Sequence, residues 1–180
     1  MISHAPPLRA VGLLGEDART AWDRGMQQPA VPPFVSTVVN RLDAKGRVSI
    51  PALFRQILAQ QNLQGVYCIP SFSDPALEAF GDTLLTQFTQ RLEKYDPLFT
   101  REYDDEAQAV LGRTQFLKLD DDGRVTLPAD LIAHAGIGER VAFIGLGVKF
   151  QIWDPAKHEA VERERIERAR LRRLGNGAAP

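Results

Sequence analysis

The chain has 180 residues, of which 44% are hydrophobic and 25% charged, and its net charge is −1. Those values suit one or two small globular domains with a sizeable core, and they exclude a globally basic nucleic-acid binder. No apolar run approaches the length that spans a bilayer, the N-terminus lacks the order of a secretory signal, and the one cysteine, Cys68, cannot close an internal disulfide.

A reducing cytoplasm is therefore the expected compartment. The three histidines, His4, His134 and His158, are too scattered for metal-ligand spacing. Charge is unevenly placed. Residues 34–60 carry a net +3, residues 74–106 a net −6 and residues 157–173 a net +3. A locally basic surface is thus compatible with an acidic whole.

Residues 1–33 hold five of the twelve prolines and no sustained hydrophobic period. They are expected to form a flexible extension, of which residues 1–25, before Met26, are dispensable. Val and Thr enrichment from Phe34 to Leu42 predicts a strand. There follows Leu42-Asp43-Ala44-Lys45-Gly46-Arg47-Val48-Ser49-Ile50-Pro51-Ala52. The Gly marks a turn, Val-Ser-Ile alternates as a half-buried strand does, and Pro51 opens a helix. Leu53, Phe54, Ile57 and Leu58 recur at helical spacing and should face the core, until Gln60-Gln61-Asn62 ends that helix. Gly65 to Pro70 predicts another strand.

Asp74-Pro75 looks like a helix cap and first turn, with Leu77, Phe80, Leu84, Phe88 and Leu92 as the buried stripe. Tyr95-Asp96-Pro97 breaks this helix and begins a second, through about Leu111, whose acidic start suits a helix N-terminus. These acidic faces are expected to avoid DNA.

The motif then returns 77 positions later as Leu119-Asp120-Asp121-Asp122-Gly123-Arg124-Val125-Thr126-Leu127-Pro128-Ala129, with seven of eleven positions identical. Phe116 to Leu119 leads into it. Leu131, Ile132 and Ala135 should face the core and Gly136 should stop the helix. Two strands are expected around Gly145-Leu146-Gly147 between Val141 and Trp153. A terminal helix begins at Asp154-Pro155, with Glu159/Arg163 and Glu164/Arg168 at favourable i, i+4 spacing. Gly175 to Pro180 should fray.

The paired D-x-x-G-R-V-x-[IL]-P motifs, with Phe34-Val35-Ser36-Thr37, Tyr67 to Phe72 and the G-x-G-x-x-F-x-I-W block ending at Trp153, resemble the MraZ family. The resemblance covers roughly residues 34–165. It implies an α+β fold of two pseudo-symmetric AbrB/SpoVT-like swapped-hairpin units, each marked by D-x-x-x-R. The organisation expected is a first unit over 34–82, a helical connector over 83–111, a second unit over 112–156, and a C-terminal helix and tail over 157–180. The resemblance also implies a transcriptional regulator of the division and cell-wall cluster, including its own promoter, working as a homo-oligomeric ring.

Within each motif, two readings stay open. Either the Asp organises the turn while the Arg projects from it, or the two form an ion pair that only holds the loop. Asp43, Gly46, Asp120 and Gly123 are expected to be structural. Arg41, Lys45, Arg47, Lys118 and Arg124 are the candidate DNA contacts. A β-ribbon carrying them can enter the major groove, where Arg47 could pair with guanine O6 and N7 while Arg41 and Lys45 meet phosphates. The second loop is acidic, so Arg124 is given less weight; its own aspartates could neutralise it. Calcium binding by Asp120 to Asp122 lacks the twelfth-position Glu, which here is Leu131. No nucleophile, phosphate-loop or zinc-protease motif occurs, so neither an enzyme nor a cofactor is expected. The expected partners are double-stranded DNA with repeated operator elements and further copies of the chain, at the nucleoid and without a membrane. The alternative is an antitoxin-like interaction module that does not touch DNA.

Overall fold

A computed structural model describes residues 31–176. The proposed extension lies outside the described residues except for Val31–Pro33, which are irregular. The strands are β1 (Thr37–Arg41), β2 (Arg47–Ser49), β3 (Gly65–Pro70), β4 (Ala76–Phe80), β5 (Gln115–Lys118), β6 (Arg124–Thr126), β7 (Arg140–Gly145) and β8 (Lys149–Trp153). The helices are α1 (Ala52–Gln60), α2 (Asp82–Leu92), α3 (Arg101–Val110), α4 (Ala129–Ala135) and α5 (Pro155–Asn176).

Every strand pairing is antiparallel, in a six-stranded sheet of order β1-β7-β8-β4-β3-β5 and a two-stranded ribbon of β2 and β6. The six-strand order reads the same from either end once each strand is exchanged for its counterpart in the other copy. The first strand of each copy pairs with a later strand of the other, β1 with β7 and β5 with β3. Two counterpart pairs mark the pseudo-twofold axis, Val48 opposite Val125 and Glu78 opposite Gln151. The class is α+β with two pseudo-symmetric copies, as the duplication implies. The copies interlock: neither keeps its strands in a sheet of its own.

The two faces of the six-stranded sheet are covered differently. On one, Phe34, Phe54 and Phe150 join the segment before β1, α1 and β8, with ring centroids 4.8–5.3 Å apart. On the other, Trp153, Ala76, Ala142 and Ile144 form a buried cluster against Val161 of α5. Polar groups near the axis on that face are hydrogen-bonded in place except Glu78 Oε2. Gln151 donates to Glu78 Oε1 at 2.7 Å, Ser71 donates to the same oxygen at 2.9 Å, and Trp153 donates to Gln151 Oε1 at 2.9 Å. Lys149 Nζ lies 2.8 Å from Glu78 Oε2 but off its hydrogen-bonding directions, so that contact is an ion pair only. Cys68 is fully buried, and burial pushes its thiol up to about 12, which makes it a core residue rather than a reactive one.

Four expectations need correction. Residues 76–80 are a strand, not the first turns of a helix. β4 lies in the middle of the sheet and is buried on both faces, so Leu77 and Phe80 mimic helical spacing when both are simply inside. Asp74 belongs to the turn between β3 and β4, where its carbonyl accepts from Ala76 N at 2.8 Å. The helix begins at Asp82 and keeps Leu92 buried as expected. The next helix starts at Arg101 rather than Asp96, because the Asp96 carboxylate caps its own turn, accepting from Leu98 N at 2.8 Å and Phe99 N at 3.2 Å. Leu53 faces out, 45% exposed, while Phe54, Ile57 and Leu58 point inward. α5 continues through Gly175 to Asn176, with residues 177–180 outside the described part. The Gly136 stop holds in a left-handed conformation at φ 58°.

Candidate nucleic-acid interface

The two motif copies meet in the ribbon. Its register pairs Arg47 with Thr126, Val48 with Val125 and Ser49 with Arg124. The ladder is extended at both ends, by Ile50 N to Gly123 O at 3.1 Å and Leu127 N to Gly46 O at 2.8 Å. Val48 and Val125 are each 1% exposed. Side chains alternate along a strand, so Arg47, Ser49, Arg124 and Thr126 share the opposite, open face. The sequence presented two arginine loops on two units; the fold brings both arginines onto one surface.

Each turn is built in the same way. Asp43 Oδ1 accepts from Lys45 N at 2.8 Å and Arg47 N at 2.9 Å, while Oδ2 accepts from Arg47 Nε at 2.7 Å. Asp120 Oδ1 accepts from Asp122 N at 3.0 Å and Arg124 N at 2.9 Å, while Oδ2 accepts from Arg124 Nε at 2.9 Å. Gly46 and Gly123 turn the chain at φ 74° and 73°, in the region that favours glycine. The two open readings of D-x-x-x-R therefore coincide. One carboxylate oxygen organises the turn and the other holds the arginine beside the ribbon.

The loops differ in charge balance. Arg47 faces one carboxylate, Asp43. Arg124 faces two, with Nε 2.9 Å from Asp120 and Nη2 2.5 Å from Asp122. The hydrogen bond to Asp120, then the charges of Asp120, Asp122 and Asp43, push the Arg124 guanidinium further toward its protonated form. That Asp43 is felt at Arg124 reflects how near the two loops lie. Lys45 is exposed on the first loop. Arg41 and Lys118 are exposed counterparts that end β1 and β5 just before each turn. They stand on the two edge strands of the large sheet. Asn40, just before Arg41, donates to Ser49 O at 2.7 Å and ties β1 to the ribbon.

The turn carboxylates predict an acid response. Backbone donation from Arg47, then its guanidinium, holds the Asp43 carboxyl at about 2, and Asp120 is lowered for the same reason. An unfolded aspartate titrates near 3.9. The folded value is the lower one, so the stabilisation is complete above about pH 4 and is lost as pH falls toward 2. Thermal melts should drop across that window. Asp43→Asn should melt lower than wild type at pH 7 and show a shallower drop between pH 4 and 2. An unchanged acid profile in the variant would assign the response to other carboxylates.

Arg55 carries no motif that marks it in the sequence. It lies on α1, yet its guanidinium covers the second loop, and only the fold reveals this. Among the described residues, no trio of His, Cys, Asp or Glu converges as a metal site.

Comparison with known proteins agrees with these features. The family model described as "MraZ protein, putative antitoxin-like" matches residues 110–173. The transcriptional regulator MraZ of Xanthobacter autotrophicus is 45% identical over 145 residues, covering 81% of this chain and 92% of the relative. That of Azorhizobium caulinodans is 43% identical over 148 residues, covering 81% and 93%. That of Gluconacetobacter diazotrophicus is 44% identical over 145 residues, covering 78% and 89%.

Proposed function

This chain belongs to the MraZ family, and from that premise we propose that it is a transcriptional regulator that binds double-stranded DNA through the β2–β6 ribbon. The observation that carries the proposal is the open ribbon face bearing Arg47 and Arg124 together. A two-stranded ribbon has the width to enter a major groove, and an arginine can pair with guanine O6 and N7 there. Arg47 is the base reader. Lys45 and Arg41 meet phosphates, and Lys118 and Arg124 contribute less because carboxylates crowd the second loop. Asp43, Gly46, Asp120 and Gly123 shape the turns. The target proposed is the division and cell-wall cluster, including the promoter of the chain's own gene, read as repeated elements. Action at the nucleoid follows from that target. No described helix is long and apolar enough to cross a membrane.

The active species proposed is a closed ring. Two surfaces of unlike character support it. α3 exposes Glu102, Asp104, Asp105 and Glu106 next to Leu98 and Phe99, which are 82% and 87% exposed. The outer half of α5 exposes Arg168, Arg170, Arg172 and Arg173 with Ile166, Leu171 and Leu174. An acidic apolar surface on one copy complements a basic apolar surface on the next, and such head-to-tail contacts close into rings when the rotation permits. A ring makes each further DNA contact intramolecular, worth about 10²–10⁴ in avidity.

The test is a footprint on DNA upstream of the chain's own gene, joined to light scattering and titration of operators with one, two or three repeats. Binding should tighten with repeat number and fall steeply with salt. A monomer that binds one repeat as tightly as three would refute the ring. Absence of any DNA binding at low salt would favour the antitoxin-like interaction module instead.

A further inference from the structure

The duplication supplies an internal control for each residue near the ribbon, and Arg55 fails to match its counterpart. Arg55 on α1 and Ile132 on α4 occupy equivalent positions, 77 residues apart. Each roofs the turn glycine of the other copy. A Cβ on Gly46 would meet Ile132 Cδ1 at 3.6 Å, whereas a Cβ on Gly123 would lie 2.7 Å from Cζ, Nε and Nη1 of Arg55. The Arg55 guanidinium therefore lies directly against the second turn. Its Nη1 donates to Ile50 O at 2.8 Å, next to the bond from Ile50 N to Gly123 O.

Packing does not require a cation there, since the fold accepts isoleucine at the matching place. Nor does Arg55 serve a carboxylate. Arg47 and Arg124 are ion-paired, but among the described residues Arg55 forms no ion pair. It is a half-buried positive charge beside the loop that carries Asp120, Asp121 and Asp122, and Asp121 is exposed and likewise without an ion pair.

We propose that Arg55 is a positioning residue for DNA binding, lent by the first copy to the acidic second loop. Its charge offsets the field of Asp120 to Asp122, and its hydrogen bond to Ile50 O holds the guanidinium in place over that loop. The second half of the ribbon can then approach a phosphate backbone that its own carboxylates would repel. This rests on the DNA reading above. It also gives the unequal loops a purpose: the first is basic by itself, and the second is made tolerable from outside.

The variants are Arg55→Leu, Arg55→Lys and Arg55→Leu combined with Asp121→Asn, assayed with wild type and Arg47→Ala on the upstream DNA over a range of salt. Leucine imitates the apolar roof that the fold already uses. Arg55→Leu should weaken binding roughly 3- to 10-fold at low salt, with a gap that closes as salt rises. Arg55→Lys should recover most of that loss, and Asp121→Asn should recover part of it in the leucine background. A gap that is absent, or that stays constant with salt alongside a lowered melt, would assign Arg55 a structural role and overturn the proposal. So would a lysine variant no better than leucine. If wild type does not bind, or Arg47→Ala binds as wild type does, the DNA reading itself falls. If Arg47→Ala loses binding and Arg55→Leu does not, only the role of Arg55 falls.

Discussion

Arg47→Ala should abolish specific binding to the upstream DNA while leaving the fold intact. A bidentate arginine–guanine contact discriminates by about 1–3 kcal/mol, so one site alone loses roughly 10- to 100-fold. In a ring the loss recurs at every engaged copy. The truncation also leaves Asp43 without its guanidinium partner on the face that meets DNA, adding repulsion to the missing contact. The fold should survive because the turn does not depend on the guanidinium. Asp43 still accepts from the backbone N–H of residues 45 and 47, and Val48 still packs beneath against the core. Arg47→Lys should rescue little, since a single ammonium cannot replace a planar fork. Arg124→Ala should weaken binding less, because two carboxylates already occupy that arginine. Titration of operator and scrambled DNA, with melts in parallel, checks this. Equal affinity of Arg47→Ala and wild type would make the arginine a loop brace only.

Local chemistry was legible in the sequence at most positions where a residue acts on its own neighbours, though not in the turns at Asp74 and Asp96. The Gly46 and Gly123 turns, the Gly136 stop, the Pro51 and Pro128 helix starts and the Glu159–Arg163 and Glu164–Arg168 pairs all stand where spacing put them. Periodicity failed at Ala76–Phe80, because a strand buried on both faces has no alternation to display. It failed at Leu53 because the inward stripe of α1 is narrower than its apolar content. The larger omission concerns pairing between the copies. A repeat 77 residues apart shows that two similar pieces exist, and nothing local shows that their strands pair with each other. Once Val48 faces Val125, the arginines share a surface and Arg55 crosses to the other copy's loop. The site is thus made by long-range register, which motif and spacing carry only in halves.

The largest effect on stability should come from Phe54→Ala. Phe54 is 1% exposed, with its ring 5.3 Å from Phe34 at an edge-on 75° and 4.8 Å from Phe150. Those three rings pack three separate segments of the chain against one another. Phe34 is held to Gly147 by a pair of backbone bonds of 2.7 and 2.9 Å, Phe54 belongs to α1, and Phe150 is in the centre of the sheet on β8. Removing the Phe54 ring loses its buried area, two aromatic contacts and the fit of a close-packed interior, at a cost of about 3–5 kcal/mol. For a chain of this size that corresponds to a fall in melting temperature of roughly 6–20 °C. The counterpart of Phe54 in the second copy is Leu131, fully buried. Phe54→Leu therefore uses a side chain that the same architecture already accommodates, and it should cost less than half as much. At a temperature where Phe54→Ala is still folded, its ribbon face is unchanged and it should bind operator DNA as wild type does. Arg47→Ala is expected to do the reverse, with an intact melt and lost binding. A Phe54→Ala melt within a few degrees of wild type would show that the aromatic cluster does not hold the copies together, and a loss of binding in the folded variant would show that the cluster sets the ribbon's geometry.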